Sequence, residues 1–366
     1  MAASSRILVV GAGIAGLTTA RALRLAGFRP EVVERHPATV VPTSGIFLPG
    51  NAARALARLG LDDPLRHLGQ VIRWQRFLDE RGEQLCRVDL AALWDGVGEC
   101  RALPRDELHQ VLLRGAGGEV RYGTEVTALH PRTDGVEVVF GDGTRREYDL
   151  VIGADGRRSA VRAMAALGGP ARPTGRVVYR SVITGGPEVT DWTALLGDRC
   201  GLVVVPLGGG RLYCCADETG SAAPADPLDR LRQVFGGFGD PVPAILAAIR
   251  TVQVALTDEV QLGRWSYGRV VVVGDAAHAT SPSLAQGAAM AIEDAVVLAE
   301  ELRRATDLDE ALLRYESRRR PRTKWVLDRT RDRDRTRDVP PPLRDPVLRG
   351  RGERIFQEHY RLLVDP

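Results

Sequence analysis

Apolar and polar positions along this chain fall into short unbroken apolar runs, alternating stretches and helical stripes, and their order predicts the elements. Residues 7–10 (ILVV) are all apolar, as in a parallel strand buried on both faces. After GAGIAG, Leu17, Ala20 and Leu23 recur at helical spacing as far as Gly27, which can end a helix in the left-handed conformation. A second strand is predicted over 30–33, closed by Glu34. A Pro/Gly/Ser/Thr-rich loop follows (HPATVVPTSGIFLPG), then a short helix with Ala53, Leu56 and Leu59 on one face. Residues 70–103 read as irregular strands, and Pro104 starts a helix with Leu108, Val111 and Leu112 on its buried stripe.

From Glu119 the period changes to two. Asp134-Gly135 and Asp142-Gly143 are hairpin signals, so 119–148 reads as an antiparallel meander returning to a buried strand at 150–153. Four further strand-like runs occupy 172–262, with two helical stretches (DPLDRLRQVFGGF, PAILAAIR) before residue 262. Another wholly apolar strand, 270–273, leads through a loop into a long helix beginning near Gly287, whose Glu300 and Glu301 are expected to pair with Arg304 on a solvated face. The tail from Tyr315 alternates arginine and aspartate, the pattern of an exposed, salt-bridged helix; Pro340, Pro341 and Pro342 should stop it, leaving a short packing helix at the end.

Composition narrows the class. A chain of 366 residues with 44% hydrophobic and 27% charged residues can bury a large core in two lobes or one enlarged α/β domain. A formal charge of +3 gives no nucleic-acid footprint. Five cysteines without CxxC or metal-ligand spacing read as free thiols in a reducing cytoplasm, and no metal site is expected. No apolar segment is long enough to span a bilayer, and a signal peptide is rejected because the glycine turn lies inside the only apolar N-terminal run.

The chemistry gathers at strand ends. Gly11, Gly13 and Gly16 form GxGxxG, one glycine for the turn, one for close approach of a pyrophosphate and one for helix packing, and an acid at Glu34 suits ribose hydroxyls. Asp155 and Gly156, and again Gly274 and Asp275, follow buried strands at the carboxyl edge where open α/β sheets bind ligands. Arg105 stands in the first turn of its helix, where the dipole disfavours a cation, so it is expected to meet an anion. The helix start at Gly287 likewise offers free N–H groups to something anionic. Arg180 and Tyr213 interrupt otherwise apolar strands, as wall residues with a polar tip or as site residues.

Read together, GAGIAG with Glu34, DLVIGADGRRSAVR (149–162) and GRVVVVGDAAHATSP (268–282) resemble the single-component FAD-dependent aromatic monooxygenases of the para-hydroxybenzoate hydroxylase type. SGIFLPGNAARAL and AQGAAMAIEDAVVLAEEL are most similar to the salicylate and 3-hydroxybenzoate hydroxylases and to antibiotic-tailoring members. The resemblance implies an α/β fold, with a Rossmann-like FAD-binding domain (1–70, 102–171 and 263–366, including C-terminal helices) and an inserted β-sheet substrate domain (71–101 and 172–262). It implies that NADPH or NADH reduces FAD and that a flavin C4a-hydroperoxide hydroxylates a small aromatic or polycyclic phenol; epoxidation, Baeyer-Villiger oxidation and a non-catalytic FAD-binding protein are the alternatives. By resemblance Gly11, Gly13, Ala15, Gly16, Glu34, Arg35 and Val126 hold the ADP end. The stretch with Asp155 and Gly156 is associated with both FAD and NAD(P)H, Arg105 reaches the FAD phosphates or ribityl chain, Gly274 and Asp275 hold the ribityl chain, and Gly45, Ile46, Pro282, Gly287 and Ala288 lie against the isoalloxazine. Arg180 and Tyr213 are the candidate catalytic residues. His278 is taken as structural, and His67 and His109 as surface or packing residues. A cytoplasmic monomer or homodimer, without integral membrane contact, is expected.

Overall fold

The computed structural model describes residues 5–38 and 43–365; part of the loop read over 36–50 therefore lies outside the described residues. The chain opens with a strand (β1, Ile7–Val10), a helix (α1, Ile14–Leu25) and a second strand (β2, Glu31–Val33), with Gly27 left-handed at φ 95° beyond the helix. A strand β3 (Gly45–Leu48) leaves this unit and pairs antiparallel with Arg101–Pro104, which runs directly into helix α2 (Arg105–Ala116). The meander Val126–Pro131, Val136–Phe140 and Arg145–Tyr148 turns at the two Asp-Gly pairs and delivers β4 (Leu150–Gly153) beside β1. Val120–Arg121 does not join that meander; it pairs in parallel with β2. A large, mostly antiparallel wall includes β5 (Arg172–Thr184), β6 (Cys200–Gly208) and β7 (Arg211–Thr219). The chain then re-enters the first unit as β8 (Val270–Val272) and finishes in helices α3 (Gly287–Arg304), α4 (Leu308–Asp338) and α5 (Pro341–Glu358), with a last turn at Arg361–Val364.

β8, β4, β1 and β2 are adjacent and parallel, so their apolar runs are buried on both faces and all their carboxyl ends point the same way. Crossover connections of this kind leave a crevice at the carboxyl edge. Both predicted nucleotide-facing turns lie there: GAGIAG after β1 and GD after β8.

The wall sheet takes its seven strands from two separated stretches, Trp74–Asp79 and Gln84–Asp89 from one, and β5 to β7 with Trp192–Leu196 and Gln253–Glu259 from the other. Strand alternation gives it two faces. Tyr179, Ile183, Leu202, Val204, Leu212 and Cys214 pack under the helices Pro227–Phe235 and Val242–Ala248 through Leu231, Phe235 and Ile245. The opposite face carries Arg176, Arg180, Tyr213, Cys215 and Asp217, all of one parity in the β5–β7 register.

The C-terminal region departs from expectation. The arginine-rich tail is a 31-residue helix, but Arg319, Arg333 and Arg337 are buried in it, so it is a packing element. α4 ends at Asp338, just before Pro340, as expected, but Pro341 and Pro342 also begin α5, an 18-residue helix in place of a short terminal one; proline is tolerated in the first turn, where its missing N–H has no intrahelical partner anyway. Glu300 and Glu301 bond to Arg58, Arg314 and Arg318 in place of Arg304, because α3 is covered by its neighbours and Glu301 is buried. All five cysteines are free. Among the described residues no helix is long and apolar enough to cross a membrane.

Candidate functional site

The three glycines of the first turn have distinct surroundings. A Cβ on Gly16 would run into the Gly11 carbonyl oxygen, and one on Gly11 (φ +109°) would sit 2.5 Å from the Ala154 oxygen at the end of β4. Gly13 has nothing within 4 Å of its Cβ position. Two glycines are thus required by packing, and the third leaves the start of α1 open to approach. α1 has no side-chain N-cap, so its first N–H groups keep their hydrogen-bonding capacity. Glu34 is half-buried beside this turn: its carboxylate accepts from the Ala12 N–H at 3.0 Å and from the His36 N–H at 3.0 Å. Arg35 is exposed next to it and Val126 is buried.

His109, on α2, is buried against the same turn, with Nε2 2.8 Å from the Ala12 carbonyl oxygen. A carbonyl can only accept, so Nε2 carries the proton and donates. The histidine read as a surface or packing residue therefore fixes the backbone of the glycine turn.

The turn after β8 is organised by one carboxylate. Asp294, fully buried in α3, accepts from the Gly274 N–H (2.9 Å), from Nε2 of His278 (2.6 Å) and from Nε of Arg319 on α4 (2.8 Å). Burial works against its ionised form, but His278 and Arg319 outweigh that and hold the carboxyl at about 2. Gly274 is also crowded: its Cβ position lies 2.8 Å from Ala15 Cβ and 3.2 Å from Ala291 Cβ, and its φ is +59°, so α1, α3 and this turn meet over a hydrogen atom. His278 is thereby a structural partner of Asp294, its ring tilted at 42° to Trp265.

Fixing Gly274 aims Asp275 outward. Asp275 is exposed, and its Oδ1 lies 3.8 Å from the Cβ position of Gly287, the first residue of α3. α3 also lacks a side-chain N-cap; the side chain of Gln286 is turned away, in a reciprocal amide pair with buried Asn51 (3.0 and 3.3 Å). Asn51 further donates to Glu293 at 2.8 Å, which Arg319 and Arg322 neutralise. Gly287 and Ala288 remain half-buried, and Pro282 in the preceding loop is exposed.

The wall closes the site from the other side. Gly45 packs under Tyr213, whose Cβ and Cγ lie 2.5 Å from the Gly45 Cβ position, so β3 with Ile46 runs against the wall at this residue. Tyr213 neighbours Cys215 and Arg180; burial first, then the Cys215 thiol, push its hydroxyl well above the usual tyrosine range despite Arg180. The group is therefore a neutral phenol that can donate a hydrogen bond. For Arg180, burial is opposed and outweighed by Cys215 and Tyr213, which keep the guanidinium charged. Arg105 is within electrostatic reach of Asp275, Tyr213 and Arg180, and burial pulls its guanidinium below the ordinary value. Neither Arg105 nor Arg180 is ion-paired with a carboxylate among the described residues.

Arg105, Asp275, Arg180, Tyr213 and Gly45, from five separated stretches, thus come together. Asp155 serves as a cap. Its Oδ1 accepts from the Ser159 hydroxyl (2.5 Å) and its Oδ2 from the Ala160 and Val161 N–H groups (2.7 and 3.1 Å), at the start of the helix Ala160–Met164. Gly156 (φ +81°) supplies the turn beside it. From that helix, buried Arg162 donates to the Ala276 carbonyl at 2.9 Å and ties the 149–162 stretch to the GD turn. Asp294, Asn51, Arg162 and Cys215 were missed by sequence reasoning. Only Asp294 left a signal, as an acid within the apolar stripe of a helix.

A separate cavity of about 240 Å³, lined by Leu48, Ala53, Leu56, Leu65 and Val97 among others, contains none of the predicted site residues. Among the described residues no group of His, Cys, Asp and Glu is placed to hold a metal ion.

The chain is similar to known proteins along most of its length. A family described as "FAD binding domain" matches residues 4–194 and 239–330. The chain is 34% identical to an aurachin C monooxygenase/isomerase of Stigmatella aurantiaca over 324 residues (85% of this chain, 84% of the relative). It is 37% identical to the 3-amino-4-hydroxybenzoate 2-monooxygenase PtnB3 of Streptomyces platensis over 352 residues (90% and 87%). A crystal structure of Klebsiella pneumoniae HpxO complexed with FAD and uric acid superposes with a TM-score of 0.89 at 28% identity, covering 98% of this chain and 97% of that one.

Proposed function

The chain belongs to the FAD binding domain family, and from that premise we propose that this FAD-dependent monooxygenase uses NADPH or NADH and O₂ to hydroxylate an aromatic or heteroaromatic small molecule between the wall sheet and the carboxyl edge of the parallel sheet. The observation that carries this reading is the meeting of Arg105, Asp275, Arg180 and Tyr213 at one edge, two from the nucleotide-binding side and two from the wall.

The residues present fit FAD. Gly13 leaves open space at an uncapped helix start for a pyrophosphate, and Glu34 beside it offers carboxylate oxygens to a ribose. Arg105 brings a cation with no carboxylate partner among the described residues, Asp275 an exposed acceptor for a hydroxylated chain, and the uncapped start of α3 a positive dipole end for an electron-rich ring. When bound, the flavin supplies hydride acceptance and activation of O₂. Gly45, Ile46, Pro282, Gly287 and Ala288 would lie along its ring, and Arg35 with Val126 at its adenosine end.

The chain's own side chains would do the rest. Tyr213, kept protonated, donates a hydrogen bond to an oxygen or nitrogen of the substrate and does not act as a base near neutral pH. Arg180, held charged by its neighbours, stabilises negative charge that develops on the ring as it becomes a better nucleophile. Val182, on the same face as Arg180 and Tyr213, supports an apolar, water-poor wall. Relatives named for aminohydroxybenzoate, urate and aurachin C support an electron-rich ring as substrate, with hydroxylation as the outcome. The test is a panel of phenols, aminophenols, purines and quinolones added to FAD-loaded protein: a member that accelerates NAD(P)H oxidation and is itself hydroxylated supports the reading, and bound FAD with no response across the panel refutes it.

A further inference from the structure

The loop carrying Pro282 has two sides. Pro282 is exposed, while Ser281 and Ser283 beside it are buried. Both hydroxyls donate to one carboxylate, Asp334 of α4, Ser281 at 2.7 Å and Ser283 closely. One turn further along α4, Arg337 donates through Nη1 to Ser283 Oγ (3.2 Å) and to Oδ2 of Asp217 (2.5 Å). Asp217 is buried in β7, on the same face as Tyr213 and Cys215, and also accepts from Arg176 of β5 at 3.0 Å. Arg176 in turn donates to the Asp334 backbone oxygen and to Asp338, each at 3.0 Å. Room for this crossing is made by Gly201 of β6, whose Cβ position lies 3.4 Å from Arg337 Nε.

α4 therefore touches the loop and the wall with adjacent side chains of one helical face. Asp334 holds the loop, Arg337 holds both, and Asp217 lies two and four residues along the strand from Cys215 and Tyr213. We propose that Asp334 and Arg337 are positioning residues that set the gap between the Tyr213–Arg180 wall and the Pro282 loop. The proposal rests on the reading that this loop faces the flavin ring. A buried network whose charges are paired resists partial opening, since a lost partner leaves an uncompensated charge or hydroxyl. The gap is thus fixed by a helix outside both surfaces that the substrate would meet. Both residues lie past residue 330, where the family match ends, so this distance can be tuned by tail sequence without altering the nucleotide-binding turns.

The test uses FAD-saturated protein and four variants: Asp334→Asn, Arg337→Met, Arg337→Lys and Ser283→Ala, with Asp328→Asn on the same helix as control, since Asp328 pairs with exposed Lys324. Amide hydrogen exchange over 281–286 is expected to rise about tenfold in Asp334→Asn and Arg337→Met, with FAD stoichiometry retained, an altered visible circular dichroism band of the bound flavin and no change in the control. Arg337→Lys should recover part of the protection. Ser283→Ala, which removes only a hydroxyl, should be less than additive with Asp334→Asn in the double variant, because the two share the Ser283–Asp334 contact. Unchanged loop exchange and an unchanged flavin spectrum in Asp334→Asn, Arg337→Met and Ser283→Ala would overturn the proposal. Wild-type protein that bound no FAD would instead overturn the flavin reading, and loop exchange would still report on the Asp334 contact.

Discussion

Replacing Asp294 by asparagine should uncouple the GD turn from the helices that hold it, and the structure sets the size of the effect. The carboxylate is fully buried and holds the Gly274 N–H, His278 and Arg319 at once. Its carboxyl sits at about 2 against an ordinary 3.8, a preference for the ionised form of about 2 kcal/mol. Asparagine keeps the shape but removes the charge, and its NH₂ cannot accept from Arg319 or Gly274; breaking one partner of a buried ion pair costs about 3–5 kcal/mol. For a chain of this length a loss near 3 kcal/mol lowers Tm by about 3–8 °C. The folded-state value is depressed, so this stabilisation is complete above the ordinary carboxyl range and is lost as pH falls toward 2. The wild-type advantage over Asp294→Asn should therefore narrow between about pH 4 and about pH 2. Because Gly274 aims Asp275, FAD affinity should also fall by about tenfold or more, equivalent to about 1.4 kcal/mol. Differential scanning fluorimetry across pH, with FAD titration by flavin fluorescence, measures all three. Melting within about 1 °C of wild type at pH 7, with unchanged FAD affinity, would refute the role given to Asp294.

Other outcomes follow from the same geometry. Asp275→Ala removes an exposed acceptor and no packing, so Tm without FAD should be unchanged while FAD affinity drops by about tenfold, read by equilibrium dialysis. Gly16→Ala places a methyl carbon on the Gly11 carbonyl, so soluble protein should be lost or purify colourless, seen in the visible spectrum. Arg180→Ala and Tyr213→Phe should retain FAD but divert reducing equivalents to hydrogen peroxide, measured as the ratio of peroxide to NAD(P)H consumed; tight coupling in both would reassign the wall.

The nucleotide-binding edge was legible because its determinants are local. Gly11, Gly13 and Gly16 lie within one turn, and Glu34 and Asp275 each follow an apolar run that announces a buried parallel strand. Arg105 could be singled out because a cation in a first helical turn opposes the dipole. The supports of the site were not legible, since their partners are far apart in sequence. Asn51 meets Gln286 and Glu293, Arg319 meets Asp294, and Arg337 meets Asp217, and no periodicity links these positions. The arginine-aspartate alternation of α4 was misleading for the same reason: Arg319, Arg333 and Arg337 are buried because other elements bring acids or aromatic rings to them, with Phe77, Trp192 and Phe356 around Arg333. Local pattern shows that a helix is charged, but only tertiary contacts show which charges are paired inside.

In the proposed reaction two electrons from NAD(P)H reduce O₂, so that one oxygen atom enters the aromatic substrate as a hydroxyl and the other leaves as water. The direct measurement is turnover of a responding phenolic or heteroaromatic compound under isotopically labelled O₂, with mass spectrometry of the product. One labelled oxygen atom per product, with one NAD(P)H consumed for each, is the expected result. Product oxygen derived from water, or FAD-loaded protein whose NAD(P)H oxidation yields only hydrogen peroxide with every compound tried, would contradict it.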